Sequence, residues 1–315
     1  VWDAQTGALL LRLQHDESFG GVNSATWNAD ESRILSWSDY EGTAQVWDAQ
    51  TGDRLLTLRH DSAVKGAAWS ADETRILSWS YDSTVRVWSI QPERPTLLTL
   101  PHDDYVSGAA WNADETRILS WSRDDTARVW DARTGSLLLI LEHDDGVQGA
   151  VWNRDETRII TRLSNNTVRV WDAQTGSLLL TLEHDDRVSG MAGNIDASQL
   201  LTWSSDHTAR VWDAQTGALQ MTLQHDNWVY GAAWNADETR ILSWSSDYTV
   251  RVWDAQTGAL LFTLHHEDAV LGAAWNADET RILSWSDDNM VRVWDAQTGA
   301  LLLTLHHFYW VIGAM

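Results

Sequence analysis

The chain has 315 residues, a formal net charge of -23, a single lysine (Lys65) and no cysteine. So negative a field repels phosphate backbones and anionic lipid, which argues against nucleic acid and membrane surfaces as partners. The missing cysteine excludes disulfides, thiolate metal sites and cysteine nucleophiles, and no apolar run approaches the ~18 residues of a membrane span.

The first predicted element is a hairpin over residues 1–13, VWDAQTGALLLRL. The same pattern, most regular as VRVWDAQTGALLLTL at 291–305, recurs along the chain. Its central tryptophan stands at Trp2, Trp47, Trp88, Trp130, Trp171, Trp212, Trp253 and Trp294, at spacings of 45, 41, 42 and then 41 four times. A fixed period in this range marks a repeat architecture. Apolar and polar residues alternate in VRVW and a second apolar run follows AQTG, so each copy predicts two strands joined by a tight turn. Gly supplies the positive φ of that turn, and Asp and Thr can bond its free backbone groups.

The whole repeat is clearest at 102–141. VSGAAW predicts a first strand, NADET an Asx-type turn, RILSWS a second strand, TARVW a third and Leu137 to Leu141 a fourth. Four short antiparallel strands per ~40 residues are the blades of an all-β propeller, in which neighbouring blades bury one another's faces. The period leaves no room for an unrelated domain, so residues 1–315 are expected to form one, beginning and ending in mid-blade. Seven repeats are complete. An eighth blade would be split between residues 1–13 and 311–315; an eight-sector ring uses both ends and is the expected arrangement. Seven sectors, the alternative, would leave a terminal strand unpaired and open to self-association.

These repeats closely resemble the WD-repeat propeller family. The resemblance rests on the His-Asp start (His102-Asp103), the Ser-x-Asp-x-Thr turn (Ser245 to Thr249) and the Trp-Asp closure of the third strand (Trp253-Asp254). The usual Gly before the His is replaced by Gln14, Arg59, Pro101, Glu142, Glu183, Gln224, His265 and His306, and the usual second-strand Gly is Trp in six copies. These departures bear on local loop geometry, not on the fold. The resemblance implies a structural hydrogen-bonded tetrad in each blade: His60, Ser78, Asp82 and Trp88; His102, Ser120, Asp124 and Trp130; His225, Ser243, Asp247 and Trp253; His266, Ser284, Asp288 and Trp294. Each set also contains a superficial Ser-His-Asp triad. Its repetition argues against catalysis, since an active site is needed once. Near-identical repeats with variable loops are further similar to the sensor ends of NOD-like (STAND) signalling ATPases, whose nucleotide-binding domain would precede residue 1. No signal or membrane segment is visible, and the cytoplasm is the favoured but unread location.

No cofactor is implied. The pairs His265-His266 and His306-His307 suggest a metal only until strand alternation is considered, because adjacent residues point to opposite faces. Twenty of the 22 tryptophans fill three repeated slots and are expected to pack between blades. Two copies break the pattern together: Thr161-Arg162-Leu163 replaces Ser-Trp-Ser in the fourth, and Gly190 to Gly193 replaces Gly-Ala-Ala-Trp in the fifth. If those two Trp slots share neighbours across a blade contact, the losses are coupled, and Trp121 should approach Trp152 and Trp244 should approach Trp275; the alternative is that the two repeats diverged independently.

The copies differ most beside the first-strand Val and in the turn between strands two and three. These positions hold Tyr40, Lys65, Tyr81, Tyr105, Arg123, Arg187, Trp228, Tyr230 and Tyr248. Tyr, Trp and Arg are the residue types enriched at binding hot spots. Both regions are expected to open on one end of the ring around its channel, and Trp228 and Tyr230 to be solvent-accessible. The expected function is a non-catalytic scaffold or sensor that captures a protein or peptide there. The alternative is a purely structural or engineered amplified repeat with no ligand.

Overall fold

The computed structural model describes residues 1–3, 5–15, 21–38, 42–91 and 96–306. These form an all-β chain of seven four-stranded antiparallel sheets, in which strands adjacent in sequence are adjacent in the sheet. The blades span residues 24–59, 64–101, 106–142, 147–183, 188–224, 229–265 and 270–306, so the seven complete repeats each become one blade. In the sixth the strands are Val229–Trp234, Arg240–Ser245, Thr249–Asp254 and Leu260–His265. The N-terminal segment contributes an antiparallel bridge between Trp2 and Leu9. The other half of the expected eighth blade, 311–315, lies outside the described residues.

Two compact units are distinguished: one takes in residues up to Val151 with Gln174–Ser177, the other Trp152–Ala173 with Leu178 onward. In the first unit, Leu35, Ala44, Val46 and Leu58 of the first blade close on Val64, Ala67, Ile76 and Trp88 of the second. A second cluster joins the second and third blades in the same way. In the second unit, Leu242, Val250, Val252 and Leu264 of the sixth blade pack on Val270, Ala273, Ile282 and Trp294 of the seventh. Burial of such side chains contributes roughly 1.5–3 kcal/mol each. The strands read as almost continuous apolar runs because Leu and Val of the second to fourth strands face the following blade, while the first-strand Val, the second-strand Ile and the Trp-Asp tryptophan face the preceding one.

Trp244 and Trp275 lie against that same sixth-to-seventh cluster, as Trp203 and Trp234 lie against the fifth-to-sixth. At the contact between the fourth and fifth blades, Met191 takes such a place among Ile160, Val168, Val170 and Val188. Arg162 Nη1 donates to the Val188 carbonyl at 2.8 Å. Arg162 of one aberrant segment thus bonds the Val188 carbonyl, and Met191 of the other packs on the cluster that contains Val188.

The turns form as their residues dictate. Asp254 Oδ1 accepts the amides of Gln256 and Thr257 and the Thr257 hydroxyl, and Gly258 follows at φ +71°. The fourth strands run regularly through Pro101 and His265, which pair with Thr84 and Thr249. Extended backbone needs no Gly there, which accounts for the first departure from the family pattern. The second is compensated across the sheet. A Cβ on Gly231 would stand 1.9 Å from Trp244 Cζ2, so the second-strand Trp occupies space that a first-strand Gly leaves open.

Candidate functional site

In the sixth blade Trp253 Nε1 donates to Ser243 Oγ at 2.8 Å, and Ser243 Oγ lies 2.7 Å from His225 Nε2. His225 Nδ1 is 2.8 Å from Asp247 Oδ2. Indole can only donate, so the serine accepts from Trp253 and gives its own proton to His225 Nε2. This assigns the neutral tautomer with Nδ1–H donating to the carboxylate. The same links join His60, Ser78, Asp82 and Trp88, His102, Ser120, Asp124 and Trp130, and His266, Ser284, Asp288 and Trp294. A further set, His184, Thr202, Asp206 and Trp212, uses threonine. Burial holds the imidazoles of His102, His225 and His266 below their ordinary pKa. Burial raises the Asp247 carboxyl, but the His225 hydrogen bond, the His225 charge and the Thr249 and Asp226 donors outweigh it and hold the group far below the usual carboxylate range.

The network is wider than the four residues expected. Arg128 Nη2 reaches both Asp124 at 3.0 Å and Asp103 at 2.7 Å, and its Nη1 donates to the Pro101 carbonyl at 2.9 Å. Thr126 donates to the second oxygen of Asp124 through its amide and hydroxyl. Arg86, Arg210 and Arg251 repeat the bond to the residue before the His. The signal for them was the VRVW-type Arg kept at one slot opposite the Asp of His-Asp.

A nucleophile has to touch its substrate. Ser78, Ser120, Ser243 and Ser284 are 0% exposed and already engaged by both Trp and His, so these triads tie loops to strands. Among the described residues no group of three or more His, Cys, Asp or Glu is placed to hold a metal. His265 is exposed and His266 buried, and His307 lies outside the described residues. No helix among the described residues is long and apolar enough to cross a membrane.

The variable positions are held by backbone, which frees their side chains. Ser246 N donates to Trp228 O at 2.9 Å, Arg123 N to Tyr105 O at 3.0 Å and Tyr81 N to Ala63 O at 3.1 Å. The two variable loops of a blade thus lie together at one end of it. In the first unit the rings of Tyr81 and Tyr105 meet edge to face at 5.1 Å, and Lys65 Nζ stands 5.9 Å from the Tyr81 ring. Arg123 is exposed, and Tyr40 lies outside the described residues. In the second unit Trp228 is 49% exposed, Tyr230 37% and Tyr248 47%. Arg187 is exposed as well. Tyr248 has φ +71° at the turn position where other blades carry Ser83, Asp125, Asn166, His207 and Asn289, all with positive φ.

No match was found among curated proteins. Among solved structures the chain is similar to a crystal structure of the computationally designed Ika8 protein, at 26% identity and a TM-score of 0.73, over 94% of this chain and 89% of that one. The family model for the WD domain, G-beta repeat, matches residues 52–89, 95–131, 135–172, 176–213, 217–254 and 258–295. With that model covering more than half of the chain, and with each matched segment lying on blade strands, the chain belongs to the WD-repeat family of β-propeller proteins.

Proposed function

We propose that the chain is a non-catalytic binding module that captures a protein or peptide segment on the variable loop ends of its blades. The observation that carries this reading is Tyr248. A left-handed backbone costs a non-glycine residue about 1–2 kcal/mol, and Asn, Asp or Gly bear it best. Tyr248 adopts it at φ +71° while the residue stays 47% exposed, so packing within the chain returns little of that cost. The equivalent turns of the other described blades carry positive φ too, so what favours a ligand is the choice of an exposed Tyr where they use Ser, Asp, Asn or His. Trp228 and Tyr230 in the same blade offer further rigid aromatic area. Tyr40, Lys65, Tyr81, Tyr105, Arg123 and Arg187 belong to the same class of positions.

A second reading, a structural repeat frame with no ligand, draws on the likeness to a computationally designed protein. One experiment separates the two. Short peptides displayed as a library are selected on the intact chain and on a variant with Tyr105, Trp228, Tyr230 and Tyr248 all replaced by alanine. Binding to wild type that is lost in the variant supports the module; no selection above the variant's background supports the bare frame.

A further inference from the structure

The N-terminal hairpin, closed by its Trp2–Leu9 bridge, stacks on the first blade as one blade stacks on the next. A Cβ on Gly52 would stand 3.5 Å from Leu11 and 3.7 Å from Leu13, just as one on Gly176 would stand 3.5 Å from both Leu139 and Leu141. The outer half of this contact is therefore regular. Its inner half is open. Between the first and second blades, Leu35 and Ala44 of the second and third strands close on Val64, Ala67 and Ile76. Among the described residues nothing takes their place over the matching Val22, Ala25 and Ile34, and a cavity of about 570 Å³ lies there, bordered also by Leu11, Leu13 and Trp27. Val22 is 48% exposed where Val64 is 0%.

The backbone beside the cavity is open too. Asp3 N donates to Ala8 O and Leu10 N to Val1 O. In an antiparallel pair alternate residues turn their N–H and C=O outward, so Trp2 presents its own to the side on which Ile34 pairs with Trp47 in the first blade. Trp47 is 4% exposed and donates its indole N–H to Ser36 Oγ at 2.8 Å, whereas Trp2 is 67% exposed. Free peptide groups beside an uncovered apolar face accept an added strand.

The repeat defines which strand fits. In the first blade Arg33 faces Asp48, Ile34 faces Trp47 and Leu35 faces Val46. Asp3, Trp2 and Val1 hold those three places in the hairpin. An incoming Arg-Ile-Leu-Ser-Trp segment would set its Arg beside the Asp3 carboxylate and offer its Ser to the Trp2 indole. Its Leu and final Trp would turn into the cavity, as Leu35 and Trp37 turn toward the second blade. The chain's own segments of this sequence are each held inside a four-stranded sheet, so a second copy has none to give. A net charge of -23 favours a segment led by a basic residue.

We propose that the groove between the N-terminal hairpin and the first blade is a strand-acceptor site. Its occupant is an extended segment of a partner protein with second-strand chemistry, a basic residue followed by apolar residues. The site is separate from the variable loop ends and does not rest on capture there.

The test is a fluorescence-anisotropy titration of the intact chain with the labelled peptide Arg-Ile-Leu-Ser-Trp-Ser. Saturable binding is expected. Replacing the peptide's Leu by Asp puts a charge in the cavity, and replacing its Ile by Pro removes the N–H that faces Trp2; each should weaken binding by about tenfold. Val22→Asp and Ala25→Trp should each cost a similar factor. Both residues are exposed, so the thermal midpoint should stay that of wild type, which separates lost binding from misfolding. The variant with Tyr105, Trp228, Tyr230 and Tyr248 all replaced by alanine should bind this peptide as wild type does, which keeps the two sites distinguishable. No saturable binding, or binding undiminished in both groove variants, overturns the site. Self-association abolished by Val22→Asp assigns the groove to a second copy, and peptide binding that appears only in Val311→Asp assigns it to the chain's own residues 311–315. Either result overturns the partner segment.

Discussion

Glu279 of the seventh blade caps Asn235 of the sixth: its carboxylate accepts Asn235 Nδ2 at 3.1 Å and also the amide of Ala236. Glu238 does the same for Asn194 and Ile195, and Glu73 for Asn28 and Ala29. Each of these glutamates has positive φ, Glu279 at +56°. A glycine would relieve the backbone but lose the clasp. Charge-assisted hydrogen bonds contribute roughly 1.5–3 kcal/mol and the strain costs about 1–2 kcal/mol, so Glu279→Gly is expected to destabilise by about 1 kcal/mol. Urea unfolding measures this; a midpoint at or above wild type would show the clasp to be idle.

Asp247→Ala should destabilise by about 1–3 kcal/mol, because it strands the donors of His225, Asp226 and Thr249. Thermal unfolding is the readout. An unchanged transition would mean that the tetrad does not hold the blade.

The pH dependence follows from the same networks. Folded His102, His225 and His266 titrate lower than in the unfolded chain, so their contribution is full above about pH 6.5 and declines as pH falls below it. Asp82, Asp124, Asp206 and Asp247 are likewise depressed, and their share is lost as pH drops through and below about 4. Stability measured across pH should therefore fall in two stages on acidification. A flat profile between pH 7 and 3 contradicts both.

Gly231→Ala would drive a Cβ into the Trp244 ring and should cost about 1–3 kcal/mol, as overpacking does. Gly193→Ala meets nothing closer than 4.0 Å and should be nearly neutral. If the two variants unfold alike, ring and backbone at Trp244 yield more easily than the close contact implies.

Tyr248→Gly should raise stability by about 1 kcal/mol while weakening peptide capture, since it relieves the left-handed strain and removes the exposed ring. A variant that binds as well as wild type would show that Tyr248 is not part of the binding surface.

The repeat, its four strands and its turns are legible in the sequence, because they are local matters of period, alternation and Asp-Gly chemistry. The resemblance of its repeats to the WD family also marked His225, Ser243, Asp247 and Trp253 as one set. The sequence did not reveal that Glu279 reaches Asn235, or that Arg128 ties Asp103 to Asp124, because those bonds join residues that only blade stacking and strand pairing bring together. NADET therefore reads in the sequence only as an Asx-type turn. The meeting of Arg162 with Val188 was likewise decided by tertiary structure: the bond joins residues 26 apart only where the fourth blade's second strand lies against the fifth blade's first.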